Sequence, residues 1–204
     1  MAMNELEMIH GALAGDRRAF TGLVDTYQTA VFNLCYRMLG DRCEAEDATQ
    51  EAFLRAYSQL HRYDIERPFK TWLFSIAAHY CIDRLRRRRI VWLGIDDEPL
   101  QYHPALRESS PGPHEMAERG ERRDGVQALL QKLSPQDRAA ILMRYWYDLS
   151  YEEIADATGV SISSVKSRLH RARVTLGEMM QGTDVAQRRP TRNHMSLGIR
   201  AAAV

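Results

Sequence analysis

The sequence predicts an all-α protein made of two small helical domains joined by a linker. Apolar residues recur at helical spacing over residues 6–89 and again from residue 126 onward. The segment between these regions lacks that period and holds four of the seven prolines. We therefore expect a helical domain at residues 1–92, an extended linker at 93–122, a second helical domain at 123–180, and a tail at 181–204 that is disordered or weakly docked.

The composition is that of a globular protein with partners of both charge signs. Of 204 residues, 27% are charged and 45% hydrophobic. The net charge of +1 conceals an acidic stretch around Glu44–Glu51 and a basic one at Arg84–Arg89. No apolar run approaches the ~20 residues that cross a bilayer, and the first residues show no signal-peptide pattern. We expect a cytoplasmic protein without membrane insertion.

The three cysteines predict neither a disulfide framework nor a metal site. Cys35, Cys43 and Cys81 are an odd number and fall on predicted helices, as expected of reduced thiols. His79 is close to Cys81 in sequence, but the set lacks the spacing of zinc ligands. We expect no metal and no cofactor.

The first half predicts four helices. The period from Leu6 to Gly40 is divided into two helices at Gly15–Asp16. Asp41–Ala45 is predicted as a polar turn, and Glu46–Tyr63 as the third helix. Proline is favoured at helix starts, so Pro68 precedes a fourth helix over Phe69–Arg89.

The second half predicts a short helical bundle that contains a helix-turn-helix. An apolar stripe from Val126 to Leu133 is followed by Ser134–Pro135, a cap with proline at the first helical position. Ser150 and Glu153 have the spacing of a capping box. Gly159 falls where the chain must turn, and Ser161 or Ser163 can cap the next short helix.

The second helix of this motif has the two faces of a DNA reader. Ile162, Val165 and Leu169 recur along one side, and no acidic residue occurs between Ser161 and Arg173. A helix that is apolar on one side and basic on the other fits a major groove. The alternative is a solvated basic face on an ordinary helical hairpin. We favour the DNA-reading helix.

Taken together, five stretches resemble the extracytoplasmic-function sigma factors, compact members of the bacterial sigma-70 family. The matching stretches are GDRRAFTGLVDTY, AEDATQEAFLRAY, PFKTWLFSIAAHYCIDRLRR, LSPQDRAAILMRYWYDLSYEEIA and VSISSVKSRLHRAR, in that order. The resemblance implies a sigma-2-like domain and a sigma-4-like domain. It also implies an alternative sigma factor that binds core RNA polymerase and directs promoter-specific transcription initiation.

The resemblance implies which residues contact polymerase. Similar proteins use the AEDATQEAF helix to bind the clamp helices of the β′ subunit. An acidic helix face suits a basic partner, although a solvated helix face is the alternative. The implied residues are Asp47, Gln50, Glu51, Leu54 and Arg55. The β flap is the second polymerase contact that the resemblance implies.

The resemblance places −10 recognition and melting between Tyr63 and Arg89. Melting requires a captured base, commonly held against aromatic or cationic groups, and we expect that base at the Tyr63–Lys70 loop. Relatives typically have asparagine where this chain has His79, so the −10 base preference is open. The implied −10 residues are Tyr63, Lys70, Trp72, His79, Arg84, Arg86, Arg87 and Arg88, of which the arginines would hold phosphates.

The resemblance places −35 recognition on the second helix of the helix-turn-helix. Lys166, Ser167, His170 and Arg171 are expected to face base edges, and a G-containing element is expected because lysine and arginine commonly bind guanine. Ser164, Arg168 and Arg173 are expected to contact phosphates.

Two other functions are alternatives to that of a sigma factor. One is a helix-turn-helix transcriptional regulator that is not a polymerase subunit, which would need a sensory domain, typically with strands. The other is a protein-interaction module whose basic helix is incidental. The sequence shows no phosphate-binding glycine loop and no catalytic set, so we do not expect an enzyme. An anti-sigma factor is a further expected partner, because related factors are commonly held by one.

Overall fold

The computed structural model describes residues 4–93 and 125–187, with side chains described for 4–88 and 125–180. All regular structure in these ranges is helical, without a strand. This finding agrees with the predicted all-α class and disfavours a sensory domain with strands in this part of the chain. The helices are α1 (Glu5–Leu13), α2 (Arg17–Leu39), α3 (Arg42–Gln59), α4 (Phe69–Leu93), α5 (residues 125–131), α6 (Pro135–Trp146), α7 (Tyr151–Thr158) and α8 (Ile162–Gln187).

Helices α1 to α4 form the first domain around α2. Helix α2 packs against α1, α3 and α4, and α3 packs against α4. Leu23, Leu34 and Met38 of α2 are completely buried, as are Leu73 and Phe74 of α4. Because burial of each such side chain stabilises the fold by roughly 1.5–3 kcal/mol, this shared core fixes α3 and α4 side by side.

The predicted turn at Asp41–Ala45 is wrong. Gly40 ends α2 in the left-handed conformation at φ +80°, and α3 begins immediately at Arg42. The Asp41 side chain accepts the Glu44 backbone N–H at 2.9 Å, so it is the N-cap of α3. The polar residues that suggested a turn are the cap and first turn of a helix.

Helices α6 to α8 form the core of the second domain. Helix α6 packs against α7 and α8, and α7 packs against α8. Its buried residues include Leu142, Met143, Ile154 and Val165. The two domains also contact each other, since α4 packs on α6 and α7, and α2 packs on α6.

The domain boundaries of the sequence analysis stay predictions. The described residues end at Leu93 in α4 and resume at residue 125 within α5, so most of the predicted linker lies outside them. Helix α8 continues to Gln187, into the segment expected to be a tail, and is therefore not the short helix that was predicted.

Candidate nucleic-acid interface

The turn chemistry of the helix-turn-helix is as the sequence predicts. Ser150 accepts the Glu153 backbone N–H at 3.1 Å, and the Glu153 carboxylate accepts the Ser150 N–H at 2.7 Å. Gly159 ends α7 with φ +65° and ψ +32°, the left-handed region that favours glycine. Ser161, rather than Ser163, caps α8 by accepting the Ser164 N–H at 3.3 Å. These contacts fix the angle at which α8 leaves the turn.

Helix α8 presents a polar crest opposite its buried face. Val165, Leu169 and Ala172 are at most 2% exposed and anchor the helix on the domain core. At 100° per residue, the side directly opposite carries Ser163, Ser167 and His170, all exposed. Ser163 was not among the predicted DNA-binding residues. Its signal in the sequence was its position four residues before Ser167.

Basic side chains flank this crest on both sides. Lys166 lies on one side, with its Nζ 5.9 Å from the centre of the Tyr151 ring. Arg171 lies on the other, with its Nη2 3.0 Å from Oδ1 of Asp137, a carboxylate whose side chain is 12% exposed. A crest of small polar groups between two cations has the chemistry of a major-groove reader.

The remaining predicted −35 residues are spread around the helix. Ser164 is half-buried in the first turn, and Arg168 is half-buried on the side of Arg171. Arg173 is exposed and donates from Nε to the Leu169 carbonyl at 3.3 Å. These positions flank the crest, as expected of phosphate contacts.

Tyr63 is a packing residue in this structure. It is 8% exposed, its ring lies 5.4 Å from Phe69 and 5.0 Å from Trp72, and its hydroxyl donates to the Arg67 carbonyl. Burial raises its pKa, in keeping with a neutral, enclosed phenol. The Tyr63 ring, at one end of the Tyr63–Lys70 loop where a captured base is expected, is therefore enclosed in this conformation, and the base site stays a prediction. Sequence alone did not show that three aromatic rings form one cluster.

Trp72 and Lys70 are more accessible to DNA than Tyr63 is, although the Lys70 ammonium already donates a hydrogen bond. Trp72 is half-buried at the edge of this aromatic cluster. Lys70 is half-buried, and its ammonium donates to the Tyr147 carbonyl in the second domain at 3.0 Å. The structure thus brings one predicted −10 residue against the domain that carries the predicted −35 residues.

His79 is exposed on α4 and held in one orientation. Its Nδ1 lies 2.8 Å from the Ser75 carbonyl. A carbonyl only accepts, so the proton is assigned to Nδ1. With Nδ1 directed at this carbonyl, only Nε2 is left to contact a ligand, whereas an asparagine side chain offers both a donor and an acceptor.

The four predicted arginines of α4 fall into two pairs. Arg84 and Arg88 both contact the Glu44 carboxylate of α3, the former with Nη2 3.6 Å from Oε1. Arg86 and Arg87 are exposed. Only the second pair is free of an ion pair in the described side chains, which makes it the more available for phosphates.

The predicted polymerase-binding residues lie together on α3. Asp47, Gln50 and Leu54 are exposed, and Leu54 is 66% exposed despite being apolar. Glu51 accepts from Arg55 at 2.7 Å, and the Arg55 guanidinium lies over the Tyr80 ring at 4.9 Å. The spacing of residues 47, 50, 51, 54 and 55 places them on one face of α3.

The second domain has an apolar groove between α5, α6 and α8. Its volume is about 340 Å³. Several lining residues are unusually exposed for their size, with Tyr145 at 54% and Met180 at 62%. The lining residues are Val126, Leu129, Leu130, Ile141, Tyr145, Trp146, Arg173, Leu176 and Met180. Sequence periodicity predicted that part of this set is buried in the core. It could not show that α5, α6 and α8 leave a groove between them.

Comparison with protein families decides what these surfaces belong to. Sigma-70 region 2 matches residues 23–90, and sigma-70 region 4 matches residues 123–176. The chain is 35% identical over 171 residues to the ECF RNA polymerase sigma factor SigW of Bacillus subtilis strain 168, covering 82% of this chain and 91% of that protein. The chain belongs to the ECF sigma factors of the sigma-70 family. The resemblance seen in the sequence is confirmed.

Solved structures agree with this family. The sigma factor is similar to CnrH in its complex with the cytosolic domain of CnrY, with a TM-score of 0.62, 26% identity, and coverage of 86% of this chain and 96% of that one. It is also similar to the sigma factor RpoE in complex with the anti-sigma factor NepR from Bartonella quintana. That match has a TM-score of 0.58, 25% identity, and coverage of 79% and 96%.

The described residues of this sigma factor form neither a metal-binding cluster nor a membrane-spanning helix. No three histidine, cysteine or acidic side chains among them are arranged to hold a metal ion. No helix in the described part of the chain is long and apolar enough to cross a membrane.

Proposed function

We propose that this chain is a promoter-specificity subunit that binds core RNA polymerase and directs transcription initiation. The observation that carries the proposal is the presence of both halves in one chain. A region 2 domain precedes a region 4 domain whose helix-turn-helix exposes a polar and basic crest. A transcriptional regulator with a helix-turn-helix alone has no use for the first domain.

The α3 face would bind the β′ clamp helices. Asp47, Gln50 and Glu51 supply carboxylate and amide groups, and Leu54 supplies an exposed apolar anchor. Acidic groups steer a basic partner, while a desolvated leucine at the centre gives affinity. Arg55 is held by Glu51 and Tyr80, which orients the rim of this surface.

The groove of the second domain would bind the β flap. Its lining is almost wholly apolar, and a groove of this shape accepts the apolar face of a partner helix. Burying Tyr145, Trp146 and Met180 there would remove exposed apolar surface from water. Two separate contacts would then hold the factor on polymerase.

The α8 crest would read the −35 element in the major groove. Ser167 and His170, with Lys166 and Arg171 beside them, would contact base edges, and we add Ser163 to this set. Ser164, Arg168 and Arg173 would hold phosphates. Phosphate contacts fix register while base contacts carry the sequence preference.

Helix α4 would read and melt the −10 element. Trp72, Lys70 and His79 lie along its first half and would contact displaced bases. Arg86 and Arg87 would hold backbone phosphates, joined by Arg84 and Arg88 within their contacts to Glu44. Tyr63 would support Trp72 rather than touch DNA in this conformation.

The proposal extends to partners and setting. The factor would act in the cytoplasm, where polymerase and DNA are, and would perform no chemistry of its own. An anti-sigma factor would hold it inactive, as the complex of RpoE with NepR illustrates for a similar protein. The acidic and apolar surfaces just described are the ones such an inhibitor would cover.

Core binding and promoter opening test the proposal together. Labelled core polymerase should bind the purified chain, and the holoenzyme should make thymines near −10 reactive to permanganate, which attacks unstacked pyrimidines. Core alone is the control. Binding without reactive thymines would leave a polymerase-associated protein that is not an initiation factor, and absence of binding would remove the proposal.

A further inference from the structure

Two arginines of α4 converge on one carboxylate of α3. Arg84 and Arg88 are one helical turn apart, so their side chains leave the same face of α4. Nη2 of Arg84 lies 3.6 Å from Oε1 of Glu44, and Nη2 of Arg88 contacts Oε2 of the same carboxylate. The two guanidinium groups therefore form an anion-binding site, and Glu44 occupies it in this structure.

Glu44 is held beside α4 by the start of α3. Its backbone N–H donates to the side chain of Asp41, the N-cap of the helix, at 2.9 Å. A carboxylate in the first turn is also favoured by the positive end of the helix dipole. Because α3 and α4 pack against each other, the carboxylate stays next to the arginines whenever the first domain is folded. The contact lies wholly within that domain.

A DNA phosphate offers these arginines the same chemistry as the carboxylate does. Both are oxyanions that bind guanidinium groups through charge-assisted hydrogen bonds. The side chains of Arg84 and Arg88 are 35% and 40% exposed, whereas that of Glu44 is 21% exposed. A phosphate can therefore reach the arginines from solvent while the carboxylate contacts them from within. One binding site has two anions that compete for it.

The carboxylate has an advantage over a phosphate that arrives from solution. It belongs to the same chain and is fixed in contact with both guanidinium groups, so it competes at a high effective concentration. A phosphate must also offset the loss of freedom on association. Arg84 has a further internal partner, since its Nη1 donates to the Tyr80 hydroxyl at 3.4 Å. Arg88 is therefore the better probe of the competition.

We propose that the Glu44 carboxylate competes with DNA phosphates for Arg84 and Arg88, and thereby limits the sequence-independent affinity of the −10 surface. The inference rests on the proposed function and adds Glu44 as a specificity-determining residue. Phosphate contacts carry no sequence information. Weakening two of them leaves a larger share of the discrimination to the base contacts. DNA that base contacts already position draws the arginines to its phosphates, whereas other DNA meets arginines that are neutralised.

Glu44→Gln tests the competition with little change in the shape of the side chain. The amide keeps one acceptor oxygen but loses the negative charge. Glu46→Gln is the matched control, because Glu46 lies on the same helix and pairs with Arg42 at 3.0 Å. Both members of that control pair are exposed. Thermal melting followed by circular dichroism checks that each variant folds.

DNA binding is measured on holoenzyme with a fluorescent single strand of mixed sequence, over about 50 to 200 mM salt. Saturating core polymerase keeps any change in core affinity out of the measurement, and core alone gives the background. Glu44→Gln should bind more tightly than wild type. Its slope of log affinity against log salt should be steeper by about 0.7 to 1.4, since each arginine released to a phosphate of a single strand adds about 0.7. Its advantage should therefore shrink about three- to seven-fold across that salt range. Glu46→Gln should keep the wild-type slope.

A double substitution tests whether the gain comes from the arginines. Arg88→Gln should weaken DNA binding at least about two-fold more in the Glu44→Gln background than in wild type, where Glu44 already neutralises this guanidinium. Equal losses in the two backgrounds would overturn the competition, and so would a Glu44→Gln slope equal to that of Glu46→Gln. Weaker DNA binding by Glu44→Gln would also overturn it, because Glu44 would then orient the arginines for DNA.

The exposed arginine pair separates this inference from the proposed function. Replacing both Arg86 and Arg87 by glutamine should weaken DNA binding and lower the salt slope by about 1.4. If it does so while Glu44→Gln behaves as Glu46→Gln does, the proposed −10 surface stands and the competition fails. If neither the paired substitution nor Glu44→Gln changes DNA binding, α4 does not contact the DNA backbone and both proposals fail.

Discussion

Lys70 of the first domain donates its hydrogen bond to the backbone carbonyl of Tyr147 in the second, at 3.0 Å. The residue expected at the −10 element is thus engaged by the domain that would read the −35 element. Such a contact between residues 77 positions apart in sequence cannot be found from local pattern. In this conformation the Lys70 ammonium is therefore occupied by a contact within the chain.

The exposed leucine on α3 should be needed for polymerase binding. Leu54→Ala should weaken core affinity about five-fold or more, which corresponds to the loss of about 1 kcal/mol or more that marks an energetically important interface residue. The melting temperature should hardly change, since Leu54 is 66% exposed. Leu6→Ala, at 60% exposure on α1, is the control and should bind core as wild type. Equal losses in both variants would exclude a specific α3 surface.

Arg171 should contribute base preference rather than uniform affinity. Arg171→Ala should weaken promoter binding and relax the preference at one −35 position, a loss of about 1–3 kcal/mol against the best sequence. Arg173→Ala should weaken all sequences alike and lower the salt slope by about one. A binding assay over randomised −35 sequences at several salt concentrations separates the two. Uniform loss in Arg171→Ala would make it a phosphate contact.

The two glycines of the helix-turn-helix region should respond to alanine with opposite signs. Gly159→Ala should destabilise the protein by about 1–2 kcal/mol because φ is +65°, although a Cβ there would meet nothing within 4 Å. Gly177→Ala, inside α8 and equally unobstructed, should stabilise it by up to about 1 kcal/mol. Urea denaturation gives both values. Destabilisation by Gly177→Ala would contradict a regular α8.

Alkaline pH should loosen the first domain through Tyr27. Burial, followed by a 2.7 Å hydrogen bond to Glu5 and the charges of Glu5 and Tyr63, raises the pKa of Tyr27 above its ordinary value of 10. The unfolded chain therefore loses this proton near pH 10 while the folded chain keeps it. Stability present below pH 10 should fall above it, by less than about 1.4 kcal/mol per pH unit for this residue, because solvent screens a half-exposed hydroxyl.

A comparison of variants isolates that effect. Tyr27→Phe should show a shallower loss of unfolding free energy between pH 9 and about 11 than wild type. The measurement is urea denaturation at each pH. Identical slopes in the two proteins would mean that Tyr27 ionises equally in the folded and unfolded chains.

Local signals predicted the helix-turn-helix well. Two examples are the capping box of Ser150 and Glu153 and the left-handed conformation of Gly159. Both depend only on neighbouring residues, so both could be predicted from the sequence. The same reasoning failed at Asp41, because an N-cap and a polar turn share the same residue types. Residue propensity alone does not distinguish an N-cap from a polar turn when one helix follows another directly.

Features that depend on tertiary contacts could not be predicted from the sequence. The burial of Tyr63 follows from its packing on Phe69 and Trp72, which no periodicity specifies. The Glu44 contacts with Arg84 and Arg88 join two helices, and they divide a basic run that looked uniform. The site residues therefore stay predictions, and the structure adds which of their side chains are exposed.

Run-off transcription on fragmented genomic DNA tests the central claim most directly. Purified core polymerase is assayed with and without this chain, and the upstream sequences of new transcripts are read. Discrete new transcripts that share two elements, one near −10 and one near −35, are the predicted result. An unchanged transcript pattern from active core that demonstrably binds the folded chain would contradict a promoter-specificity subunit.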